Sequence, residues 1–290
     1  MTVLELIEAS AAQLEAAGLT FENGFGQGTT NAFDEAAWLV MWQLGLPLDD
    51  LDSVENRTVA QEERAQVATL LGARITTRKP AAYLTHEAWL MGVPFYVDER
   101  VIIPRSFIAE LLVDESIDPW LGEDTRRVLD LCTGNGSLAV LAAMTYPEVL
   151  VDAADISLDA LAVARINIDK HALGSRIKLI ESDGLAACLG KYDLILCNPP
   201  YVNAASMAAL PAEFKAEPAL ALGGGTDGMV FIRSLFLTAT THMSENAVLV
   251  LEIGNERDNF ERAFPHLEPL WFETSAGSDQ VMLITREQLV

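Results

Sequence analysis

Apolar residues follow different spacings along the chain, and the changes of spacing divide it into regions. Through residues 1–79 they recur every three or four positions, which indicates several helices that each bury one face. The three sets are Leu4, Ile7, Ala11 and Leu14; Ala37, Val40, Met41 and Leu44; and Ala65, Ala68 and Leu71. We therefore predict a small N-terminal helical domain over this range.

A glycine-rich link, Gly24 to Thr29, joins the first two predicted helices. Its composition favours a flexible connector, with contact to a partner as the alternative. Either Thr30 or Asn31 is expected to cap the helix that follows. From residue 80 to 104 the apolar runs become short and extended, which predicts a β-hairpin that links the helical domain to the rest of the chain.

From residue 105 onward, short apolar runs alternate with helical segments, as in an α/β protein with a doubly wound sheet. The predicted strands are Val128–Cys132, Leu150–Asp155, Ile177–Glu181, Tyr192–Cys197 and Val248–Glu252, then Leu270–Thr274 and Gln280–Thr285 as an antiparallel edge pair. Helices are expected between the strands, for example Leu158–His171 and Met229–His242. The stretch from Asn198 to Met229 lacks periodicity and is predicted to be a long binding loop or lid.

Charge and composition narrow the function. The 290 residues suffice for an α/β core with a smaller appendage, and no apolar run reaches the ~20 residues that a membrane span requires. The three cysteines lack Cys-x-x-Cys spacing, the four histidines are scattered and the start has no basic leader, so we expect no metal site and a reduced, cytoplasmic location. The net charge of −23 opposes direct nucleic-acid recognition and favours a basic protein partner.

A glycine turn follows the first predicted strand, with the order Asp130-Leu131-Cys132-Thr133-Gly134-Asn135-Gly136. It lacks both the lysine of a Walker sequence and the third glycine of the dinucleotide fingerprint. A nucleoside ligand without phosphates therefore fits better, and S-adenosylmethionine is the obvious candidate. Asp130 suits its cationic ammonium group, and Asp155, about 20 residues beyond the turn, suits ribose hydroxyls.

The apolar run Tyr192–Cys197 ends at Asn198-Pro199-Pro200-Tyr201. Both prolines fix φ and neither donates an N–H, so the turn is stiff and rich in hydrogen-bond acceptors. Such a turn can hold the N–H hydrogens of a planar nitrogen in an amide or a nucleobase amine. Four polar residues lie at or just after predicted strand ends, where α/β sheets bind ligands: Asp130, Asp155, Asp183 and Asn198.

On these residues the chain resembles the HemK family of class I S-adenosylmethionine-dependent methyltransferases, which methylate glutamine side chains in proteins. The matching segments are Val128 to Gly136, Asp155, Asp183, Asn198 to Tyr201, Gly223 to Gly228, Pro80 to Leu84, Trp89 to Val97 and Ile103 to Arg105. Cys132, Ser106 and the segment from Gly28 to Ala36 resemble the branch that acts on ribosomal protein L-three. Phe107 and Gly184 depart from the family's usual residues, and Leu185 is the alternative to Gly184 for contact with adenine.

The resemblance implies a Rossmann-like, seven-stranded methyltransferase domain over residues 105–290, after the helical recognition domain and the hairpin linker. The implied S-adenosylmethionine ligands are Asp130, Cys132, Thr133, Gly134, Asn135, Gly136, Asp155, Ile156, Asp183, Gly184 and Asn198. The implied catalytic residues are Asn198, Pro199, Pro200 and Tyr201. Arg105 is expected to bind the substrate together with Asn198, Pro199 and Tyr201.

Several functions stay open at this point. A ribosomal protein is the first expected substrate and a release factor is the alternative. A nucleic-acid adenine methyltransferase uses the same Asn-Pro-Pro-Tyr run with the tyrosine stacked on a flipped base. The acidic charge and the absence of a basic stretch favour a protein substrate. A binding module on an inactive methyltransferase fold is a further alternative, which the intact run disfavours.

Overall fold

The computed structural model describes residues 1–21, 23–25 and 28–290, which form two compact units. The helical unit comprises Met1–Ala88, Val97–Glu99 and Leu210–Glu217, and the sheet unit comprises Trp89–Tyr96, Arg100–Ala209 and Pro218–Val290. Gly26 and Gln27 of the predicted link lie outside the described residues. Within the described ranges, no helix is both long and apolar enough to cross a bilayer.

The helical unit contains the three predicted helices and a short fourth one. They are α1 (Val3–Ala16), α2 (Ala32–Gln43), α3 (Gln61–Thr77) and α4 (Ala81–Thr85). Asn31 caps α2, because its side chain accepts a hydrogen bond from the Asp34 N–H. Of the two expected caps, Asn31 is therefore the one that the fold uses.

The buried face of α3 differs from the prediction. Val67, Leu71 and Arg74 are buried, whereas Ala65 and Ala68 are exposed. The apolar residues alone do not indicate this face, because Arg74 takes one of its buried positions.

The predicted hairpin is confirmed as β1 (Glu87–Leu90) and β2 (Val93–Tyr96). Its two turn residues, Met91 and Gly92, both have positive φ, at 49° and 76°. Such a two-residue turn matches the twist of paired strands. Gly92 therefore supplies one of the two positive φ values that this turn requires.

The sheet unit contains a seven-stranded sheet, which confirms the predicted α/β class. Its strands are β3 (Arg127–Leu131), β4 (Leu150–Asp155), β5 (Ile177–Glu181), β6 (Tyr192–Cys197), β7 (Met243–Glu252), β8 (Leu270–Trp271) and β9 (Val281–Thr285). The strand order is β5-β4-β3-β6-β7-β9-β8, and the first five strands of that order are parallel. In β3, Leu131 pairs with Ala154 on one side and with Cys197 on the other, which aligns the carboxyl ends of the central strands.

Helices cover both faces of this sheet, and the core consists of two layers of buried side chains. The helices are α5 (Ile108–Val113), α6 (Ser137–Thr145), α7 (Leu158–Lys170), α8 (Ala204–Ala209), α9 (Ala219–Leu222), α10 (Val230–His242) and α11 (Arg257–Ala263). The stretch after Asn198, predicted to be a long loop, instead contains α8, α9 and a 3₁₀ turn over Phe214–Ala216. Helices of four to six residues are too short to show a helical period in the sequence.

Two strand predictions also need correction. β7 begins at Met243, five positions before the predicted Val248, because polar residues occupy its first half. The predicted antiparallel edge pair is confirmed as β8 and β9, but β8 ends at Trp271, three residues before the predicted Thr274.

Candidate active site

A cavity of about 740 Å³ lies in the sheet unit, beyond the carboxyl ends of the parallel strands. Leu131, Asp155 and Asn198 line it and belong to or follow β3, β4 and β6. The chain order of the strands reverses between β3 and β6. This reversal is the place where open α/β sheets bind their ligands.

The turn after β3 exposes part of its backbone to the cavity. Cys132 and Gly134 line the wall, and Gly134 has a φ of +55° with no atom within 4 Å of the place that a Cβ would occupy. A ligand can therefore approach this backbone closely. Gly136, by contrast, faces α7, where an added Cβ would lie 3.1 Å from the Cβ of Ala164.

Thr133 and Asn135 hold the turn in place through hydrogen bonds, and neither is among the residues that line the cavity. The Thr133 hydroxyl donates to Asp130 Oδ2, and the Asn135 Oδ1 accepts from the Ser137 N–H at the start of α6. Asn167 Nδ2 donates to the Asn135 carbonyl at 2.8 Å. These contacts hold the turn in place without direct access to the cavity.

Asp130, which the sequence predicts to contact the ligand, lies beneath the glycine turn and is absent from the residues that line the cavity. Its Oδ2 accepts from Thr133 and, at 2.9 Å, from the Ala139 N–H. Its Oδ1 is buried and accepts no hydrogen bond from any described residue. Burial raises the pKa of Asp130 to about 7, against the opposing effect of these hydrogen bonds.

Cys132 has a φ of +63°, a conformation that glycine adopts more easily than other residues. Its hydrogen bond with Cys197, followed by burial, raises the pKa of the Cys132 thiol well above its ordinary value. The thiol therefore stays protonated, which argues against a nucleophilic role.

Asp155 joins the turn after β3 to the end of β4. One carboxylate oxygen accepts from the Gly134 N–H and the other from the Ser157 N–H, each at 2.9 Å. Burial raises the pKa of Asp155, and its hydrogen bonds from backbone N–H groups oppose that rise. With the Ile156 N–H as a third donor, at least one lone pair of the carboxylate is left to accept from a ligand hydroxyl.

An apolar wall flanks the acidic groups. Ile156 lines the cavity and is half exposed, with 50% of its surface accessible, and Leu185 lines it from the segment after β5. Asp183 and Gly184 line the same side. Both Gly184 and Leu185 therefore border the cavity, so the two alternatives for an adenine contact lie next to each other.

The Asn198-Pro199-Pro200-Tyr201 turn lies at the end of β6. Asn198 and Pro200 line the cavity, and Asn198 Nδ2 donates to Glu252 Oε1 at 3.1 Å. Tyr201 packs across Gly254, where an added Cβ would lie 2.6 Å from the tyrosine ring. Because one end of the Asn198 amide is bound to Glu252, its carbonyl oxygen is the end left to accept from a ligand.

Glycines after α9 allow the following chain to pass close to this turn. The Val202 N–H donates to the Leu222 carbonyl, and the Gly224 N–H donates to the Val202 carbonyl, both at 2.8 Å. A Cβ on Gly224 would lie 2.8 Å from the Pro200 carbonyl oxygen. The glycine is therefore needed for the close approach of two backbone segments.

Glu252 ends β7 and is the residue that sequence reasoning missed. Its Oε2 accepts from the Ser106 hydroxyl at 2.6 Å and from the Phe107 N–H at 2.9 Å, and its Oε1 accepts from Asn198 and, at 3.4 Å, from the Tyr201 hydroxyl. Burial raises the pKa of Glu252 to about 7, although hydrogen bonds from Ser106 and Phe107 oppose the rise.

Arg105 lies one residue before this network. Its Nη1 donates to the Ile103 carbonyl at 3.1 Å, and its positive charge lowers the pKa of Glu252 slightly against the larger effect of burial. Arg105 is absent from the described wall of the cavity, as are Pro199 and Tyr201. No group of three or more potential metal ligands occurs within the described ranges.

Comparison with known proteins places this site in a family. The family model for the methyltransferase small domain matches residues 109–250. A ribosomal protein uL3 glutamine methyltransferase of Bordetella pertussis is 50% identical over 99% of this chain and 96% of its own length. Its counterpart in Neisseria meningitidis serogroup A is 46% identical over all of this chain and 94% of its own length. The chain belongs to the ribosomal protein uL3 glutamine methyltransferase family.

A solved structure supports the fold of this family member. The hMettl16 catalytic domain in complex with the MAT2A 3'UTR hairpin 6 aligns with a TM-score of 0.51 at 14% identity, over 78% of this chain and 81% of that one. At this level of identity the likeness concerns the fold alone. The predicted methyltransferase fold and the predicted resemblance to glutamine methyltransferases of the ribosomal-protein branch are both confirmed.

One signal could have identified Glu252 in this uL3 glutamine methyltransferase family member before its structure was known. The same strand-end argument that selected Asp155 and Asn198 applies to Glu252, which closes the last parallel strand before Gly254. The predicted end of that strand, Glu252, is correct. A carboxylate at the end of a buried apolar strand is unusual unless other groups bond to it. A buried acid requires hydrogen-bond donors, and those donors are parts of the Asn198 turn and of the segment before α5.

Proposed function

We propose that this protein transfers a methyl group from S-adenosylmethionine to the side-chain amide nitrogen of a glutamine in ribosomal protein uL3. The proposal depends above all on the Asn198-Pro199-Pro200-Tyr201 turn, which reaches the cavity at the point where the strand order reverses. Relatives 46–50% identical over nearly the whole chain, named as uL3 glutamine methyltransferases, support the same substrate.

The cavity suits the methyl donor in three respects. The open space at Gly134 lets the donor approach the backbone closely. The buried Oδ1 of Asp130 lacks a hydrogen-bond partner among the described residues, so it can accept from the donor. Ile156 offers an apolar face to the flat adenine ring. We assign the methionine part to the turn from Asp130 to Gly136, the ribose to Asp155, and the adenine to the wall formed by Ile156, Asp183, Gly184 and Leu185. When bound, S-adenosylmethionine supplies an electrophilic methyl group on a positively charged sulfur.

The protein's part in the reaction follows from the chemistry of an amide. The lone pair of a glutamine side-chain nitrogen is delocalised into its carbonyl, so this nitrogen is a poor nucleophile. The Asn198 Oδ1 and the Pro199 carbonyl can accept its two N–H hydrogens and thereby orient it. The same acceptors stabilise the positive charge that develops on nitrogen as the N–C bond forms and the methyl–sulfur bond breaks, and the extra proton on nitrogen then leaves to water. Fixed orientation of two reactants supplies a large share of the rate in such a transfer.

Tyr201 and Arg105 complete the proposed substrate site. The Tyr201 ring is held against Gly254, and we place the flat carboxamide of the substrate beside it. We propose that Arg105, which neighbours the Glu252 network, contributes to substrate binding from the segment before α5. The helical unit, centred on the predicted recognition domain of residues 1–79, is proposed to bind the rest of the substrate protein.

The charge of the chain agrees with a basic partner. A net charge of −23 attracts a strongly basic ribosomal protein and repels a phosphate backbone. A release factor remains the alternative protein substrate. A cytoplasmic location, where ribosomes are assembled, remains a prediction, as does the expectation that the enzyme does not recognise nucleic acid directly.

A labelled methyl transfer assay tests the proposal. The purified protein is incubated with methyl-labelled S-adenosylmethionine and, in separate reactions, uL3, a release factor or ribosomal RNA. We expect label in uL3, with mass spectrometry locating it on a glutamine side chain. Label in the release factor or in RNA alone would select an alternative function, and donor binding without any transfer would support an inactive binding module.

A further inference from the structure

We propose that Glu252 is a positioning residue that orients the Asn198 amide, so that its oxygen rather than its nitrogen faces the substrate. This inference rests on the proposed function, because it assigns Asn198 Oδ1 to the target amide. It adds a residue from a different strand to the machinery and explains why β7 ends in a buried carboxylate.

The contacts of Glu252 are all of one kind. Only 1% of its surface is exposed, and both of its oxygens accept hydrogen bonds from N–H or O–H groups. Oε2 fixes the carboxylate through Ser106 and Phe107, while Oε1 faces Asn198 and Tyr201. An ionised carboxylate can accept all four hydrogen bonds and can donate none.

This asymmetry selects one of two orientations of the Asn198 side chain. An amide has a donor end and an acceptor end of nearly the same shape, so packing distinguishes them poorly. With Nδ2 toward Glu252, a hydrogen bond forms and Oδ1 points to the other side. If the amide turned over, Oδ1 would face the carboxylate, two acceptors would oppose each other, and an NH₂ group would meet the substrate's own NH₂.

The two residues belong to adjacent strands held in fixed register. Cys197, just before Asn198, pairs with Leu251, just before Glu252. The carboxylate and the amide thus extend from the ends of two paired, buried strands. Positioning residues on such rigid elements hold a site more accurately than residues on loops.

The decisive variant is Glu252→Gln, which keeps the shape and replaces one acceptor oxygen with a donor NH₂. If that NH₂ faces Phe107, it meets another donor; if it faces Asn198, the Asn198 amide must turn over to accept from it. We expect kcat for methyl transfer to uL3 to fall about a hundredfold, as when an oriented transition-state contact is lost. The Kd for S-adenosylmethionine, measured by calorimetry, should stay within about threefold of wild type.

A second variant tests the orientation itself. In the double variant Asn198→Asp/Glu252→Gln, the carboxylate introduced at position 198 accepts from the amide introduced at position 252 and keeps an acceptor oxygen for the substrate. We expect its kcat to exceed that of Glu252→Gln by about tenfold or more, which a purely structural role of Glu252 would not produce.

Glu110→Gln is the matched control for Glu252→Gln. Glu110 also accepts from a serine hydroxyl and a backbone N–H, those of Ser275, but it is partly exposed and outside the described cavity wall. The kcat of this control should equal that of wild type.

The wild-type reaction with uL3, run in the same assay, separates failure of this inference from failure of the proposed function. No transfer by the wild type would reject the function. Wild-type transfer together with near-normal kcat in Glu252→Gln, or no recovery in the folded double variant, would reject the positioning role alone.

If Glu252→Gln does not fold, the pH profile of Asn198→Asp decides the matter. In this variant the carboxylate at position 198 faces that of Glu252, and the two must share a proton to form a hydrogen bond. Arg105 and Tyr201 are the charged and titratable groups that adjoin Glu252. We expect the activity of this variant to rise as pH falls, whereas that of wild type falls as Glu252 is protonated. The same pH dependence in both proteins would overturn the proposal.

Discussion

Asn198 differs from an ordinary surface asparagine because one end of its amide is already bonded to Glu252. The variant Asn198→Ala removes the acceptor oxygen and leaves the Glu252 carboxylate with one donor fewer. We predict that kcat for glutamine methylation falls by about a hundredfold or more, while the Kd for S-adenosylmethionine changes only a few fold. Steady-state kinetics with uL3 and calorimetry with the methyl donor measure the two effects.

Asn259→Ala provides the matched control for Asn198→Ala. Asn259 lies in α11, and its amide also donates to a carboxylate, that of Glu256. The control therefore loses the same kind of hydrogen bond at a carboxylate that accepts from Asn203 instead of Asn198, and its kcat should stay near that of wild type. Near-normal turnover in Asn198→Ala would rule out the proposed role of the acceptor oxygen.

Single residues differ in how far the sequence can reveal them. Asp155 and Asn198 stand directly at the ends of apolar strands, so their position near a ligand could be predicted. Asp130 satisfies the same argument, but its Oδ2 bonds to Thr133 and Ala139 beneath the glycine turn, so only its Oδ1 is left for a ligand. Side-chain direction at a strand end depends on the local turn, and the sequence pattern does not contain that information.

At the scale of elements, the turn between β3 and α6 contains a testable position. Gly134 has a left-handed φ and open space toward the cavity, so Gly134→Ala adds strain and also places a methyl group in the ligand's path. We predict an increase of about tenfold in the Kd for S-adenosylmethionine, as expected when close approach to the backbone is blocked. Calorimetric titration of the two proteins gives the ratio directly.

Gly45→Ala separates strain from obstruction. Gly45 follows α2, has a φ of +63° and likewise has no atom within 4 Å of an added Cβ, but it lies in the helical unit. Both variants should lose about 1 kcal/mol of unfolding free energy from backbone strain. Equal donor affinities in Gly134→Ala and Gly45→Ala would show that the turn does not contact the donor.

A buried ion cluster connects helices α2 and α3 with the 210–217 segment inside the helical unit. The fully buried Arg74 bonds to Glu35 at 2.7 Å, to Glu213 at 3.3 Å and to the Gly24 carbonyl. Arg74→Met would leave Glu35 buried without its ion-pair partner, while Glu213 keeps Arg78 at 2.7 Å, and we predict a loss of about 3–5 kcal/mol in the free energy of unfolding. Urea denaturation measures it.

The matched variant Arg57→Met breaks an ion pair with Glu63 that is partly open to solvent, with 37% and 28% of the two side chains exposed. A pair of this kind contributes at most about 1 kcal/mol. A loss in Arg74→Met no larger than that in Arg57→Met would show that the cluster does not stabilise the unit.

Several strands of the sheet can be predicted from the sequence, because the residues that identify each strand lie within the strand and directly beside it. The bounds of β4, β5 and β6 agree with the prediction at every residue, since each is an apolar run with turn residues on both sides. The short helices α8 and α9 could not be recognised, because one turn of helix has no period to detect. The sequence also gives no sign that residues Leu210–Glu217 belong to the helical unit. They are linked to it by the ion pair of Glu213 with Arg74, which is 139 positions away in the sequence.

At the scale of the whole molecule, the dominant feature is the excess of acidic residues. The chain has 42 aspartates and glutamates against 19 lysines and arginines. Charge of this size governs how fast a partner arrives more than how tightly it is finally held. The structure leaves this property unchanged, so a basic partner stays a prediction from the sequence alone.

Salt dependence tests the consequence of this charge for encounter with uL3. Added salt screens attraction between the acidic enzyme and a basic substrate, with a Debye length of about 10 Å at 0.1 M. We predict that kcat/KM for uL3 falls by about tenfold between roughly 0.05 and 0.3 M salt, whereas kcat, which reports on the bound complex, changes by less than about twofold. Urea denaturation at each salt concentration controls for a change in folding. A kcat/KM that is constant or rises with salt would mean that the acidic surface does not steer the substrate, and that recognition depends on short-range contacts alone.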